Sequence, residues 1–159
     1  MKSRVIVVED HPVLSAGLWQ LIDKQPDLAC VGVADNTSDA KRLVEQFKPD
    51  LMLLDLRLKG GHAFDLIKTL RVEHPETKVL VLSQYDELIF AERALRAGAS
   101  GYIMKENVTD DVLLAVRKVL AGELYFSERV AGIELLSDRE MPQEKQIRSL
   151  RGSNPQPPP

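Results

Sequence analysis

The sequence predicts an α/β domain built as a doubly wound parallel sheet. Three observations carry that expectation. Five short apolar runs alternate with five amphipathic stretches, as successive βαβ units require. The runs are apolar on both faces, as strands are when helices cover a sheet from both sides. Four of the runs also stop abruptly in polar groups. Val5–Val8 ends in Glu9-Asp10, Leu51–Leu54 in Asp55, Val79–Leu82 in Ser83, and Gly101–Met104 in Lys105.

The elements follow in order. The first strand covers Val5 to Val8. Pro12 suits the first turn of the next helix, whose Leu14, Leu18, Leu21 and Ile22 share a face, and Gln25-Pro26 stops it. Leu28 to Ala34 is the second strand. Asn36 to Ser38 supply caps for a helix carrying Ala40, Leu43, Val44 and Phe47. Lys48-Pro49-Asp50 turns the chain into the third strand, which closes at Asp55. A helix from Ala63 to Val72 keeps Phe64, Ile67, Leu70 and Arg71 in register, and His74-Pro75 ends it. Val79 to Leu82 is the fourth strand, Glu87 to Ala97 a helix ended by Gly98, and Gly101 to Met104 the fifth strand. Thr109 is the expected cap of the last helix, which runs to Leu120, with Gly122 as its stop. There is no internal repeat.

Beyond Gly122 the character changes. Val130 to Leu136 predicts a short helix, and Ser137-Asp138-Arg139-Glu140 reads as a capping box. Pro142 then opposes continuation. The division expected is a folded domain over 1–122, a linker and the start of a second domain over 123–140, and a disordered tail over 141–159. The polar, proline-ended tail has too little apolar surface to offset the entropy of ordering.

Composition narrows the function. The 159 residues carry 44% apolar and 28% charged side chains and a formal charge of −3, which suit a globular domain and offer no basic footprint for nucleic acid. Cys30 is the single cysteine, so an intrachain disulfide is excluded, and on the second strand it reads as core. No apolar run has the length of a membrane span, and a cytoplasmic location with no membrane partner is the expectation. His11, His62 and His74 lack ligand spacing and read as loop or surface residues. Trp19 reads as partly buried packing.

In an open parallel sheet the strand C-termini share one edge, where sites form. Glu9, Asp10, Asp55, Ser83 and Lys105 should therefore converge. A hard cation such as Mg²⁺ takes oxygen ligands and keeps several waters. Asp10 and Asp55 would bind it directly, Glu9 through water, and the backbone carbonyl of Arg57 would add a ligand. Asp55, projecting from the central strand, is the candidate acceptor of a phosphoryl group. Lys105 would pair with one phosphoryl oxygen as a point charge, and the Ser83 hydroxyl would donate to another. Taken singly each residue is an ordinary loop or turn residue; four strand ends with these chemistries in this order are far harder to obtain by chance.

The motifs Val7-Val8-Glu9-Asp10-His11, Leu53-Leu54-Asp55-Leu56, Val81-Leu82-Ser83 and Gly101-Tyr102-Ile103-Met104-Lys105 resemble the receiver domain of two-component response regulators. The resemblance covers about Ser3 to Ala121. It implies a flavodoxin-like (βα)5 fold with strand order 2-1-3-4-5. It also implies Mg²⁺-dependent transfer to Asp55 from the phosphohistidine of a sensor histidine kinase, and a switch in which Ser83 and Tyr102 bias the face made by the fourth helix, fifth strand and fifth helix. Homodimerisation on phosphorylation is a further expectation. The sequence departs from the family at Lys59, where many receivers have proline, followed by Gly60-Gly61; that loop should be more flexible.

Residues Ala121–Ser127 and Leu135–Glu140 resemble the linker and opening of a NarL/FixJ/LuxR-type helix-turn-helix domain. DNA contact is expected only through that output domain, the rest of which is missing from this sequence. Three other classes fit the residues less well. A phosphorylation-independent interaction module would not need all five chemical positions. An aspartate-nucleophile phosphatase typically needs an acid at the position Arg57 occupies. Direct DNA binding conflicts with the acidic main body.

Overall fold

The structure is a computed structural model that describes residues 1–58, 62–84 and 87–126. The Lys59-Gly60-Gly61 loop, the expected helix at 130–136, the capping box at Ser137 and the tail all lie outside the described residues. The first compact unit is Met1–Tyr125. Its elements are β1 (Ser3–Val8), α1 (Pro12–Asp23), β2 (Leu28–Ala34), α2 (Thr37–Phe47), β3 (Leu51–Asp55), α3 (Ala63–Glu73), β4 (Lys78–Ser83), α4 (Glu87–Ala97), β5 (Gly101–Met104) and α5 (Val108–Leu120). The strands form one parallel sheet in the order β2-β1-β3-β4-β5, the flavodoxin-like order that the resemblance implied.

Side-chain alternation divides the sheet's apolar residues between two layers. Val5, Val7, Leu51, Leu53, Leu80, Leu82 and Ile103 join one core with α1 (Leu18, Ile22) and α5 (Val112, Val116, Val119). Ile6, Val8, Met52, Leu54, Val79 and Val81 are equally buried and face the opposite way, where α2, α3 and α4 lie side by side. Each such side chain contributes about 1.5–3 kcal/mol on burial. β3 is buried at all five positions, so its apolar run must be continuous rather than alternating.

The local signals act as the sequence suggests at most boundaries. Pro12 opens α1, where a missing N–H costs nothing. The Asn36 side chain accepts a hydrogen bond from the Asp39 amide at 2.8 Å and caps α2. One expected cap is corrected. α5 begins at Val108, one residue before Thr109, and has no side-chain cap. A 3₁₀ turn over Lys105–Asn107 leads into it, with the Val108 amide donating to the Lys105 carbonyl. Val108 is buried in the core, and that burial draws the helix start back past the threonine.

Register sets the site. Val8 lies opposite Leu54, Asp55 opposite Leu82, and Ser83 opposite Met104. The polar residues that end β1, β3, β4 and β5 therefore emerge at one edge.

Candidate functional site

Three carboxylates meet at that edge. Oxygens of Glu9, Asp10 and Asp55 lie within 4.8 Å of one another. Glu9 follows β1 directly, held there by its amide, which donates to the Ala34 carbonyl of β2 at 2.9 Å. Asp55 is the last residue of β3. Both are almost fully buried, at 2% and 1% exposure, while Asp10 is partly exposed. Buried carboxylates are ordinarily paired or bound to a metal.

Lys105 supplies the pairing. It follows β5 directly, and its Nζ lies 3.1 Å from Asp55 Oδ2 and 3.1 Å from Glu9 Oε1. Its hydrogen bond to Glu9 goes to Oε2, at 3.3 Å. Oε1 thus feels the ammonium charge but accepts no hydrogen bond, and it is the one buried side-chain polar atom so placed among the described residues. Two backbone amides complete the cradle: His11 N–H donates to Glu9 Oε2 at 3.1 Å, and Arg57 N–H to Asp55 Oδ1 at 3.0 Å.

The electrostatics follow from the crowding. Burial, and then the neighbouring Asp55 charge, raise the Glu9 carboxyl above its usual range against the pull of Lys105 and the His11 amide. Burial pulls the Lys105 ammonium down, but Glu9 and Asp55 together outweigh it and the net direction is upward. Among the described residues Lys105 pairs with two of the three carboxylates, which leaves a surplus of negative charge. With Oε1 of Glu9 still free to accept, and Asp10 receiving no hydrogen bond or ion pair from the described residues, this oxygen-rich donor set fits a hard divalent cation.

Ser83 ends β4, one residue past the partner of Asp55, and is fully buried. Tyr102 lies opposite Val81 in β5 and is 3% exposed. Each sequence-predicted site residue thus lies at this edge or on the strand beside it. Beside the carboxylates a groove of about 530 Å³ opens, lined by Glu9, Asp10, Trp19, Val33 and Asp35 among others, and Trp19 at 37% exposure forms part of its wall. Cys30 is buried, and burial pushes its thiol up to about 11, as a core cysteine rather than a reactive one requires.

Sequence reasoning missed the clamp of Lys105 on Glu9, because residues 96 positions apart give no pairwise signal. It missed the two backbone donors, which no side-chain type announces. It also missed His74, whose ring lies with the carboxylates of Glu45 and Glu73 within 4.8 Å at the opposite end of the sheet. Glu73 there already pairs with Lys41 at 3.6 Å.

Residues 5–117 match the response regulator receiver domain family. The nitrate/nitrite response regulator protein NarL of Escherichia coli (strain K12) is 33% identical over 129 residues, which are 81% of this chain and 60% of that protein. The oxygen regulatory protein NreC of Staphylococcus haemolyticus (strain JCSC1435) is 36% identical over 124 residues, 77% of this chain and 57% of that one. The chain therefore spans about three fifths of the length of these curated relatives. In three dimensions it is similar to a LuxR-family two-component response regulator from Aurantimonas sp. SI85-9A1, with a TM-score of 0.76 at 29% identity over 89% of this chain and 100% of the other. The signal receiver domain of the putative response regulator NarL from Mycobacterium tuberculosis gives 0.72 at 30% identity, covering 77% of this chain and 98% of that one. Among the described residues no helix is long and apolar enough to cross a membrane. The family match covers every strand from Val5 onward and the whole acidic edge, so this protein belongs to the response regulator receiver domain family, a phosphoacceptor signalling module with NarL- and LuxR-type relatives.

Proposed function

We propose that Asp55 accepts a phosphoryl group from the phosphohistidine of a sensor histidine kinase, and that the resulting charge at the sheet edge controls an output. The single observation that carries this reading is the clamp of one ammonium, Lys105, 3.1 Å from the carboxylates of both Asp55 and Glu9. It places a cation where a phosphoryl oxygen on Asp55 would need one. In the transfer an Asp55 carboxylate oxygen attacks phosphorus in line. The new P–O bond forms as the P–N bond breaks, and the imidazole leaves with the electron pair and keeps its other proton. Lys105 pairs with the developing charge on a phosphoryl oxygen, and the Ser83 hydroxyl donates to another. The Arg57 amide holds Oδ1 of Asp55 in place.

Glu9, Asp10, Asp55 and the Arg57 carbonyl would hold Mg²⁺, which when bound neutralises charge on the transferring group. The acyl phosphate formed is labile, which suits a signal. Tyr102 and Ser83 would carry the change to the surface of α4, β5 and α5 by selecting between two arrangements of that face. Homodimerisation on phosphorylation, and DNA contact through a helix-turn-helix output domain, belong to the same reading.

The test is intact mass after incubation with acetyl phosphate, with and without Mg²⁺. The expected result is a Mg²⁺-dependent gain of one phosphoryl group that is absent in Asp55→Asn. No gain in the wild-type chain would refute the reading and favour a phosphate-independent interaction module.

A further inference from the structure

A second set of metal-ligating side chains gathers at the end of the sheet opposite the acidic edge. Glu45 stands in the last turn of α2, Glu73 is the last residue of α3, and His74 is its C-cap. One possible ligand atom from each lies within 4.8 Å of the other two. Carboxylates are disfavoured in the last turn of a helix, where the backbone dipole is negative. Here two of them occupy such places and face one another. Lys41 stands 3.6 Å from Glu73, while the Glu45 carboxylate has no hydrogen bond or ion pair with the described residues. α2 has no basic residue in its last turn, and Arg71 in the last turn of α3 donates instead to the Arg96 carbonyl at 3.1 Å.

The imidazole sets this group apart from a patch of carboxylates. The His74 side chain is 16% exposed, and its Nδ1 lies 3.5 Å from Glu76 Oε2. A carboxylate beside one ring nitrogen is the partner that orients a metal-bound imidazole and makes the other nitrogen a better ligand. The backbone that carries the ring is held on both sides. The His74 amide donates to the Leu70 carbonyl at 2.8 Å, and the His74 carbonyl accepts from the Thr77 amide at 3.0 Å. The buried Thr77 hydroxyl donates to the Pro49 carbonyl at 2.7 Å, in the turn that follows α2. That bond ties the chain after α3 to the chain after α2, so the ligands from the two helices are brought together by the fold itself.

We propose that Glu45, Glu73 and His74 form a site for a borderline divalent cation of the zinc class, which staples the end of α2 to the end of α3. A nitrogen among the ligands disfavours Mg²⁺, which takes oxygens in an octahedral shell, and suits Zn²⁺, for which imidazole is a preferred ligand. Three protein ligands leave the fourth tetrahedral position to water. The cation takes the ring nitrogen that Glu76 leaves open. Lys41 opposes it, because its ammonium competes for Glu73. The acidic edge, by contrast, offers only carboxylate oxygens, so the two ends of the sheet select different cations. The site does not depend on the phosphoacceptor reading above.

Isothermal titration of the full chain with Zn²⁺, in a large excess of Mg²⁺ to occupy the oxygen-only edge, tests this. The expected result is one equivalent of Zn²⁺ bound in the micromolar range, with affinity falling at least about tenfold in both Glu45→Gln and His74→Ala. Glu45 is exposed, so Glu45→Gln keeps the fold even if His74→Ala weakens it. Lys41→Met should tighten binding, since it removes a positive charge beside the site. Amide NMR shifts on adding Zn²⁺ should centre on residues 45 and 73–77. An absence of saturable heat overturns the site. Binding unaltered in Glu45→Gln also overturns it, since Zn²⁺ would then lie at the acidic edge or at another histidine.

Discussion

The two ends of the sheet handle charge in opposite ways. At the C-terminal end Glu9 and Asp55 are buried and, with Asp10, outnumber Lys105, the cation that pairs with them among the described residues. At the N-terminal end, outside the group around His74, charges sit in solvent and are matched locally. Arg117 of α5 grips Asp27 through Nε and Nη2, both at 3.0 Å, and its Nη2 also donates to Gln25 at 2.8 Å. The Asp50 carboxylate accepts from the Arg4 amide at 2.8 Å. Exposed pairs of that kind contribute little, and they serve to close the turns between strands and helices. Buried carboxylates in excess raise the energy of the resting site, and a bound cation would relieve it. The lesson is that burial, more than residue type, separates a charge that does chemistry from one that finishes a loop.

Four experiments test that contrast. Asp55→Asn is the most severe. Labelling by acetyl phosphate should vanish while the fold survives, since the amide keeps the shape of the side chain; persistent labelling at an unchanged rate would move the acceptor elsewhere. Lys105→Ala comes next. It keeps the fold but strands two buried carboxylates, and should cost roughly 3 kcal/mol in urea unfolding without divalent cations. Added Mg²⁺ should recover part of that loss, because a ligand that binds only the folded state stabilises it. A loss no larger than that of an ordinary surface lysine would mean the pair is solvated in solution.

Glu9→Gln should be milder. It leaves the acceptor in place but weakens the cation site, so half-maximal labelling should need about tenfold to a hundredfold more Mg²⁺. An unchanged Mg²⁺ requirement would remove Glu9 from the cation's surroundings. Arg117→Ala at the far end should matter least, with labelling unaltered and the melting temperature scarcely moved. Its signature is in acid. The Arg117 hydrogen bond holds the Asp27 carboxyl below its ordinary 3.8. The pair therefore contributes fully above that value and loses its contribution as pH falls through the lower folded value. Melting curves of the two proteins should differ slightly above pH 4 and converge below it; a difference that grows in acid would contradict the assignment.

The alternation of five continuous apolar runs with five amphipathic stretches determined the doubly wound fold without help from the structure. A strand buried on both faces can be written in few other ways, and β3 is the clearest case. The residues of the acidic edge were legible for the same reason. Parallel strands end on a common side, so the residue after each run is placed by topology alone, and Asp55, Ser83 and Lys105 each follow from the end of a run. The start of α5 was not legible, because the pull of Val108 into the core outweighed the cap at Thr109. Nor was the division of Lys105 between Glu9 and Asp55, which depends on how far β5 stands from β1 across the intervening strands. Tyr125 returns to pair with Gly101 at the β5 edge, and this was equally hidden: Gly101 reads as an ordinary strand start until a second segment of chain is seen to pass 3.1 Å from the place its Cβ would occupy. Local patterns record what each residue needs from its own neighbours in sequence. Partners between distant segments, and the clearances between them, exist only once the chain has packed.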